Sequence, residues 1–377
     1  MSVPARLGAY YFTYFAYAGV LVPYFSLWLA GEGYDAREMA LILAMPQIAR
    51  IFAPAAWGWI ADRTGWRRGI VVFSAFALLA GFASLYALRG VGPVAAAMLL
   101  MSVLAAGSMP LVEATALAAT RARPGSYGPI RLWGSIGFVL TVLAAGAWLE
   151  RHAVSTVLDI VVGLAAAVCV AAFALPSREP STPHAADATR LGVVLLRGDV
   201  WAFFGACICN SVAHAALYAF LSLHLEAAGY SKTAIGALWT LGSAAEIAVF
   251  VYLPQLMRRY TLRALLIASF VCVAVRFLLI GWAVEVAVLL VGAILLHAAT
   301  FGLFHSASLA AVHRLFAGPL EARGQALYSS LTYGVGGAAG TLLAGWTWQT
   351  FGAGWTFTAA ALAGAAGASL LAWKFRV

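Results

Sequence analysis

Long apolar runs, each broken by a short polar turn, follow one another along almost the whole chain. They cover approximately 7–30, 38–62, 68–89, 92–120, 129–149, 154–175, 200–226, 233–255, 262–282, 286–312, 324–347 and 352–373. A helix needs roughly 20 apolar residues to cross a hydrocarbon core of about 30 Å, and these runs have about that length. Twelve transmembrane helices are therefore predicted, making the chain an all-α integral membrane protein. The first run starts directly after MSVPAR with no small-residue cleavage pattern behind it, so it is expected to remain as a helix and not to be removed as a signal peptide.

One long polar connection interrupts the series, SREPSTPHAADATR at 177–190, rich in Pro, Ser and Thr as flexible linkers are. The expected organisation is an N-terminal six-helix bundle over 1–176, a cytoplasmic linker over 177–199 and a C-terminal six-helix bundle over 200–377. The two sets of six also repeat each other. FSLWLAGEGYDAREMALIL, from Phe25, aligns without gaps on LSLHLEAAGYSKTAIGALW, from Leu221, at an offset of 196 residues. Ser26 meets Ser222, Leu27 meets Leu223, Leu29 meets Leu225, and the Gly33-Tyr34 turn meets Gly229-Tyr230. An even number of spans per half makes this a parallel repeat, an arrangement found in transporters.

Composition agrees with the pattern: 63% of residues are hydrophobic and 10% charged. If the N-terminus lies inside, sixteen basic residues fall in inner segments, among them Arg121, Arg123, Arg178 and Arg190, against four outside, Arg37, Arg89, Arg151 and Lys232. The positive-inside rule then places both termini in the cytoplasm of a bacterial-type inner membrane. The net charge of +9 is accounted for by inner loops facing anionic lipid, so membrane lipid is an expected partner and nucleic acid is not. Cys169, Cys207, Cys209 and Cys272 all lie in spans without paired metal-type spacing, so free buried thiols are expected. No metalloprotease, nucleophile-elbow or phosphate-loop signature occurs; neither an enzyme nor a metal or cofactor is expected.

The second inner turn reads GWIADRTGWRR, with Gly58, Asp62, Arg63, Gly65, Arg67 and Arg68 in register. It resembles the gating signature of the major facilitator superfamily and departs from it at Trp66. In that signature Gly58 is expected to allow close helix approach and Asp62 to accept hydrogen bonds from an arginine. The equivalent turn in the second half, Pro254–Arg263, keeps the charge and lacks the motif.

A charge near the bilayer centre costs about 2.5–3.5 kcal/mol even on lenient scales, so residues of this kind face a cavity or a partner. Five fall within spans: Arg50, Glu113, Arg131, Glu246 and Arg276. His214, His297 and His305 add titratable groups. PLVEATALA followed by RLWGSIGFVL resembles the helix 4 and helix 5 pair of the phenylpropionic acid transporter family, which is similar to lactose permease. The resemblance implies that Glu113 and Arg131 hold the solute, and that Glu246, Arg276 and His297 belong to the proton machinery. The chain departs from lactose permease in having no helix 10 carboxylate, which leaves Glu246 as the candidate proton carrier. An Arg276–Glu246 pair also suits a static brace between helices.

Tyr10, Tyr14, Tyr17 and Tyr24 share one side of the first helix, and Asn210, His214 and Tyr218 share one side of the seventh. Tyr14, Tyr17, Asn210, His214, Tyr218 and Trp239 are therefore added to the expected solute site; packing is the alternative role for such a stripe. The function these readings imply is a monomeric proton-coupled symporter for a small organic solute, an aromatic or other carboxylate first. A sugar or nucleoside symporter, or an uncoupled uniporter or exporter, is the alternative.

Overall fold

The computed structural model describes residues 2–120, 126–176 and 191–376. Of the expected linker 177–199, residues 177–190 lie outside them, as do the basic residues Arg121, Arg123, Arg178 and Arg190, whereas Leu191–Leu195 form a short helix and the next helix already begins at Gly198. The chain is helical almost throughout. The spans are α1 (Val3–Gly31), α2 (Ala36–Thr64), α3 (Arg67–Ser84), α4 (Val91–Thr120), α5 (Tyr127–Leu149), α6 (Thr156–Phe173), α7 (Gly198–Ala227), α8 (Lys232–Arg259), α9 (Leu262–Trp282), α10 (Ala287–Leu315), α11 (321–351) and α12 (Ala353–Lys374). Eleven of them are long and apolar enough to cross a membrane. The other, α11, is helical in three consecutive segments but is so rich in Gly, Ser and Thr that its mean hydropathy is lower. Val170, Val288 and Leu362 stand 72%, 81% and 66% exposed on the outer faces, which water would penalise and hydrocarbon does not.

Two compact units divide the described residues. One takes in residues up to Pro176 together with Ser231–Ala237; the other takes in Leu191–Tyr230 and everything from Leu238 onward.

The sequence repeat reappears as backbone geometry. After α1, Gly33 adopts φ 89°, Tyr34 N–H donates to Leu29 O at 3.2 Å and Glu32 N–H to Trp28 O at 2.9 Å. After α7, Gly229 adopts φ 86°, Tyr230 N–H donates to Leu225 O at 3.0 Å and Ala228 N–H to His224 O at 3.0 Å. Both are glycine-dependent helix stops, in which a left-handed residue lets the chain satisfy the last carbonyls. Each unit also uses glycine where its own helices cross closely. A Cβ on Gly137 of α5 would overlap the Phe12 carbonyl of α1, and one on Gly340 of α11 would come within 2.5 Å of Val212 Cα of α7. An arginine at the start of a third span closes each set. Arg68 of α3 donates to Phe173 O at the end of α6 at 2.6 Å, and Arg263 of α9 donates to Leu371 O and Ala372 O of α12.

The gating turn is compact. Gly65 takes φ 66° and its N–H donates to Ala61 O, ending the second half of α2. Asp62 pairs with Arg67 of the same turn at 3.3 Å, and Arg63 lies 4.2 Å above the Trp59 ring. A Cβ on Gly58 would meet no atom within 4 Å, so the close approach expected there is not made in this structure. The four cysteines are free thiols; Cys169 and Cys207 are buried, whereas Cys209 and Cys272 are only half-buried.

Candidate functional site

In the first unit the two expected solute groups are not paired with each other. Glu113, on the second part of α4, is held by two phenols: Tyr11 OH donates to Oε2 at 2.6 Å and Tyr127 OH to Oε1. Arg131, one turn into α5, lays its guanidinium 4.2 Å from the centre of the Phe15 ring and 5.4 Å from that of Tyr11. It makes no hydrogen bond or ion pair to a described residue. A planar cation with its face on aromatic rings keeps its N–H edge for another group.

Helix α1 supplies both contacts from a face the tyrosine stripe did not mark. Tyr10 of that stripe is hydrogen-bonded to Ser108, and Tyr24 donates to Val142 O at 2.9 Å, so both tie α1 to its neighbours. Tyr14 is half-buried between Tyr10 and Tyr17, and Tyr17 sits edge-on to Phe82 at 5.6 Å with 7% of its surface exposed. Arg50 closes the first part of α2, before the break at residues 51–52 and Pro54.

In the second unit the expected charges do converge, in an unexpected order. Glu246 Oε1 lies 2.7 Å from His297 Nε2, and His297 Nδ1 lies 2.9 Å from Arg276 Nη1. The direct Glu246–Arg276 pair is thus replaced by a chain with His297 in the middle. The same Nη1 donates to Thr300 Oγ1 at 2.8 Å and approaches His214 Nε2 at 3.5 Å. Arg276 is 2% exposed, His214 3%, His297 8% and Thr300 0%.

The donor set assigns the tautomers. A guanidinium only donates, so His297 Nδ1 carries no hydrogen, and its proton sits on Nε2 facing the Glu246 carboxylate. His214 Nδ1 faces the Asn210 carbonyl at 2.9 Å and donates to it, which leaves Nε2 to accept from the Thr300 hydroxyl at 3.3 Å. Both imidazoles are neutral in this arrangement, and Arg276 is the fixed charge beside them. Arg276 Nε and, one turn before His214, Asn210 Oδ1 are buried without a hydrogen bond among the described residues. A small cavity, lined among others by Leu217, Trp239, Gly242, Arg276 and His297, opens beside the cluster. Trp239 donates to Ser222 at 3.0 Å and stacks on Tyr218, whose ring is 38% exposed.

Local backbone makes this convergence possible. Helix α10 widens into a π segment over Ala298–Leu303, and a Cβ added to Gly302 within it would come to ordinary van der Waals distance of Glu246. Tyr11, Phe15, Tyr127 and Thr300 were not singled out by the sequence. The first three are ordinary aromatic positions of apolar helices, and Thr300 acquires its place from the π segment. Among the described residues no group of His, Cys, Asp and Glu could hold a metal.

A family model described as "MFS_1 like family" matches residues 5–359. The chain belongs to this family. The MFS_1-like chain is 32% identical over 365 residues to a "Probable 3-phenylpropionic acid transporter" of Escherichia coli (strain K12), covering 93% of each. It is 28% identical over 361 residues to a "Maltose permease" of Geobacillus stearothermophilus, covering 90% of this chain and 87% of that one. The solved structure of the nucleoside transporter NupG superposes with a TM-score of 0.87 over 100% of both chains at 16% identity, which shows the fold. This MFS_1-like protein is a twelve-helix membrane transporter of the major facilitator type, built as two six-helix bundles.

Proposed function

We propose that the protein is a proton-coupled symporter that carries an aromatic carboxylate across a bacterial-type inner membrane by alternating access, with both termini cytoplasmic and the monomer as the working unit. The observation that carries this is Arg131: a half-buried guanidinium lying on Phe15 and Tyr11 with its N–H edge unengaged, while Glu113 already has a phenol on each oxygen. Such a site offers a bidentate fork to a carboxylate and ring faces to an aromatic tail. With Glu113 held away from Arg131, the usual objection to an anion beside an acid is reduced. The relative named for 3-phenylpropionic acid supports the same class, since that solute is a carboxylic acid bearing a phenyl ring. A sugar, as the permease relative would suggest, calls for acceptors beside the donors, and each oxygen of Glu113 already accepts from a phenol.

The proposed proton carrier is Glu246. One of its oxygens is held by the His297 Nε2 hydrogen, and the fixed charge of Arg276 lies one imidazole away. A ligand that binds the native state raises its apparent stability. Purified protein should therefore show a higher melting temperature with 3-phenylpropionate than with maltose, uridine or an uncharged amide of the same acid. Arg131→Lys keeps the charge and loses the fork, and affinity should fall on the order of tenfold or more. A melting temperature raised by maltose or uridine alone, or an unchanged affinity in Arg131→Lys, would remove the carboxylate reading.

A further inference from the structure

Two buried glycines, Gly134 and Gly137, lie one turn apart on the side of α5 that meets α1, and they make room for different things. A Cβ on Gly137 would come within 2.3 Å of the Phe12 carbonyl oxygen, so that glycine admits the backbone of the neighbouring helix. The three atoms nearest to a Cβ on Gly134 all belong to side chains. They are Arg131 Nη1 at 2.7 Å and Cδ2 and Cε2 of the Phe15 ring at 2.8 and 3.3 Å. The place of a methyl group at 134 is thus taken from two sides, by a guanidinium and by an aromatic ring.

Spacing along the helix accounts for the first of these. Residues three apart are surface neighbours with Cβ atoms about 5–6 Å apart, so the long side chain of Arg131 can lie along its own helix over position 134 when no Cβ stands there. Laid that way, it brings the guanidinium 4.2 Å from the centre of the Phe15 ring. The ring has anchors of its own, stacking on Tyr11 at 6.5 Å and standing edge-on to Tyr14 at 5.7 Å. Arg131 has no hydrogen bond or ion pair to a described residue, which makes it the freer of the two groups that meet at Gly134.

We infer that Gly134 is a positioning residue of the solute site: its missing side chain is the seat that holds the Arg131 guanidinium over Phe15 and so sets where a carboxylate is taken. The inference rests on the proposed binding of a carboxylate by Arg131. A methyl group at 134 meets the far end of a flexible side chain, so it pushes the guanidinium off the ring and leaves α1 and α5 together. At Gly137 the same methyl group meets a carbonyl of α1, which can yield only if the helices part. Gly134 therefore acts on the solute through Arg131, and Gly137 acts on the helix crossing.

The test uses purified full-length protein with two probes, 3-phenylpropionate for the site and phenylglyoxal, an arginine reagent, for Arg131 itself. In Gly134→Ala, affinity measured by isothermal titration should fall about tenfold, since a displaced group loses its alignment with the solute. The melting temperature without solute should stay close to that of the wild type, whereas Gly137→Ala should lower it. Made in an Arg131→Lys background, Gly134→Ala should cost less than about twofold further, because the group it displaces is already gone. The phenylglyoxal adduct at Arg131, followed by mass spectrometry of the digested protein, should form several-fold faster in Gly134→Ala than in the wild type. Wild-type affinity in Gly134→Ala overturns the inference, as does an equal loss in both backgrounds, which would make the effect independent of Arg131. A melting temperature lowered as far as in Gly137→Ala also overturns it, since Gly134 is then a packing residue. If the wild type does not bind 3-phenylpropionate, the solute reading fails separately, and unchanged phenylglyoxal reactivity at Arg131 overturns the seat while faster reaction upholds it.

Discussion

At the scale of single residues the protein separates a fixed charge from its expected partner by inserting neutral groups. Two phenols take the oxygens of Glu113 and two aromatic faces take the guanidinium of Arg131, so acid and base lie in one unit without an ion pair between them. Tyr11 serves both, donating to Glu113 and lying under Arg131. Tyr11→Phe keeps the ring and removes one donor, freeing a carboxylate oxygen to turn to Arg131 and compete with the solute. Affinity for 3-phenylpropionate, measured by isothermal titration, should fall several-fold, with the fold unchanged because hydroxyl loss alone is worth about 1 kcal/mol. Unchanged affinity would show that Glu113 stays in place on Tyr127 alone. The charged residues were legible in the sequence because any charge in a hydrocarbon-length run is conspicuous. Tyr11 and Tyr127 were not, since nothing in an aromatic residue on an apolar helix reveals which face meets an acid, and the stripe through Tyr10, Tyr14, Tyr17 and Tyr24 includes two residues that tie helices together.

At the scale of elements, length and apolarity carry nearly all the information about where a helix crosses, which is why the spans could be read from composition alone. Departures from α geometry could not. The π segments Ala298–Leu303 and Ser330–Gly336 have no sequence mark, yet the first of them carries Thr300, which joins Arg276. Glycines are more readable in retrospect. Gly340→Leu would drive a side chain into α7 at Val212, and overpacking of this kind typically costs 1–3 kcal/mol or more, so a marked loss of thermal stability and expression is expected, whereas Gly92→Leu, in open space, should be nearly neutral. Equal melting temperatures for the two variants would contradict that reading. In the first unit, Glu150 at the end of α5 accepts from Thr233 N–H at 3.1 Å and from its hydroxyl at 3.4 Å, capping the start of α8. The backbone hydrogen bond from Thr233, with the neighbouring hydroxyls, holds its carboxyl below the usual glutamate value of 4.5. A depressed folded-state value means the contact is fully present above pH 4.5 and is lost as the pH falls through the lowered value. Protection of the Thr233 amide against hydrogen exchange should therefore disappear only in that acid range, and should be absent at every pH in Glu150→Ala.

At the scale of the whole molecule, the proposed solute group Arg131 belongs to one unit and the proposed proton group Glu246 to the other. Coupling between them is then a linkage through the conformational equilibrium of the transporter, each ligand favouring the state that the other also favours. The identity of the solute fixes the electrical character of the cycle. One carboxylate carried with one proton moves no net charge, so a membrane potential, worth about 2.3 kcal/mol per charge per 100 mV, does no work on it. Only the proton gradient drives uptake, at 1.36 kcal/mol or about tenfold accumulation per pH unit. A sugar carried with one proton would be driven by both. Proteoliposomes given an inward proton gradient of one unit should thus concentrate 3-phenylpropionate up to about tenfold, and a potassium-diffusion potential imposed without a pH difference should concentrate nothing. Glu246→Gln fixes the neutral form, keeps a partner for His297 Nε2 and removes the site where the proton rides. It should level at equal solute inside and outside under the same gradient while exchanging labelled solute at close to the wild-type rate. Accumulation driven by the potential would point to an uncharged solute, and accumulation that survives Glu246→Gln would leave Glu246 as a brace for His297 with the coupling proton carried elsewhere.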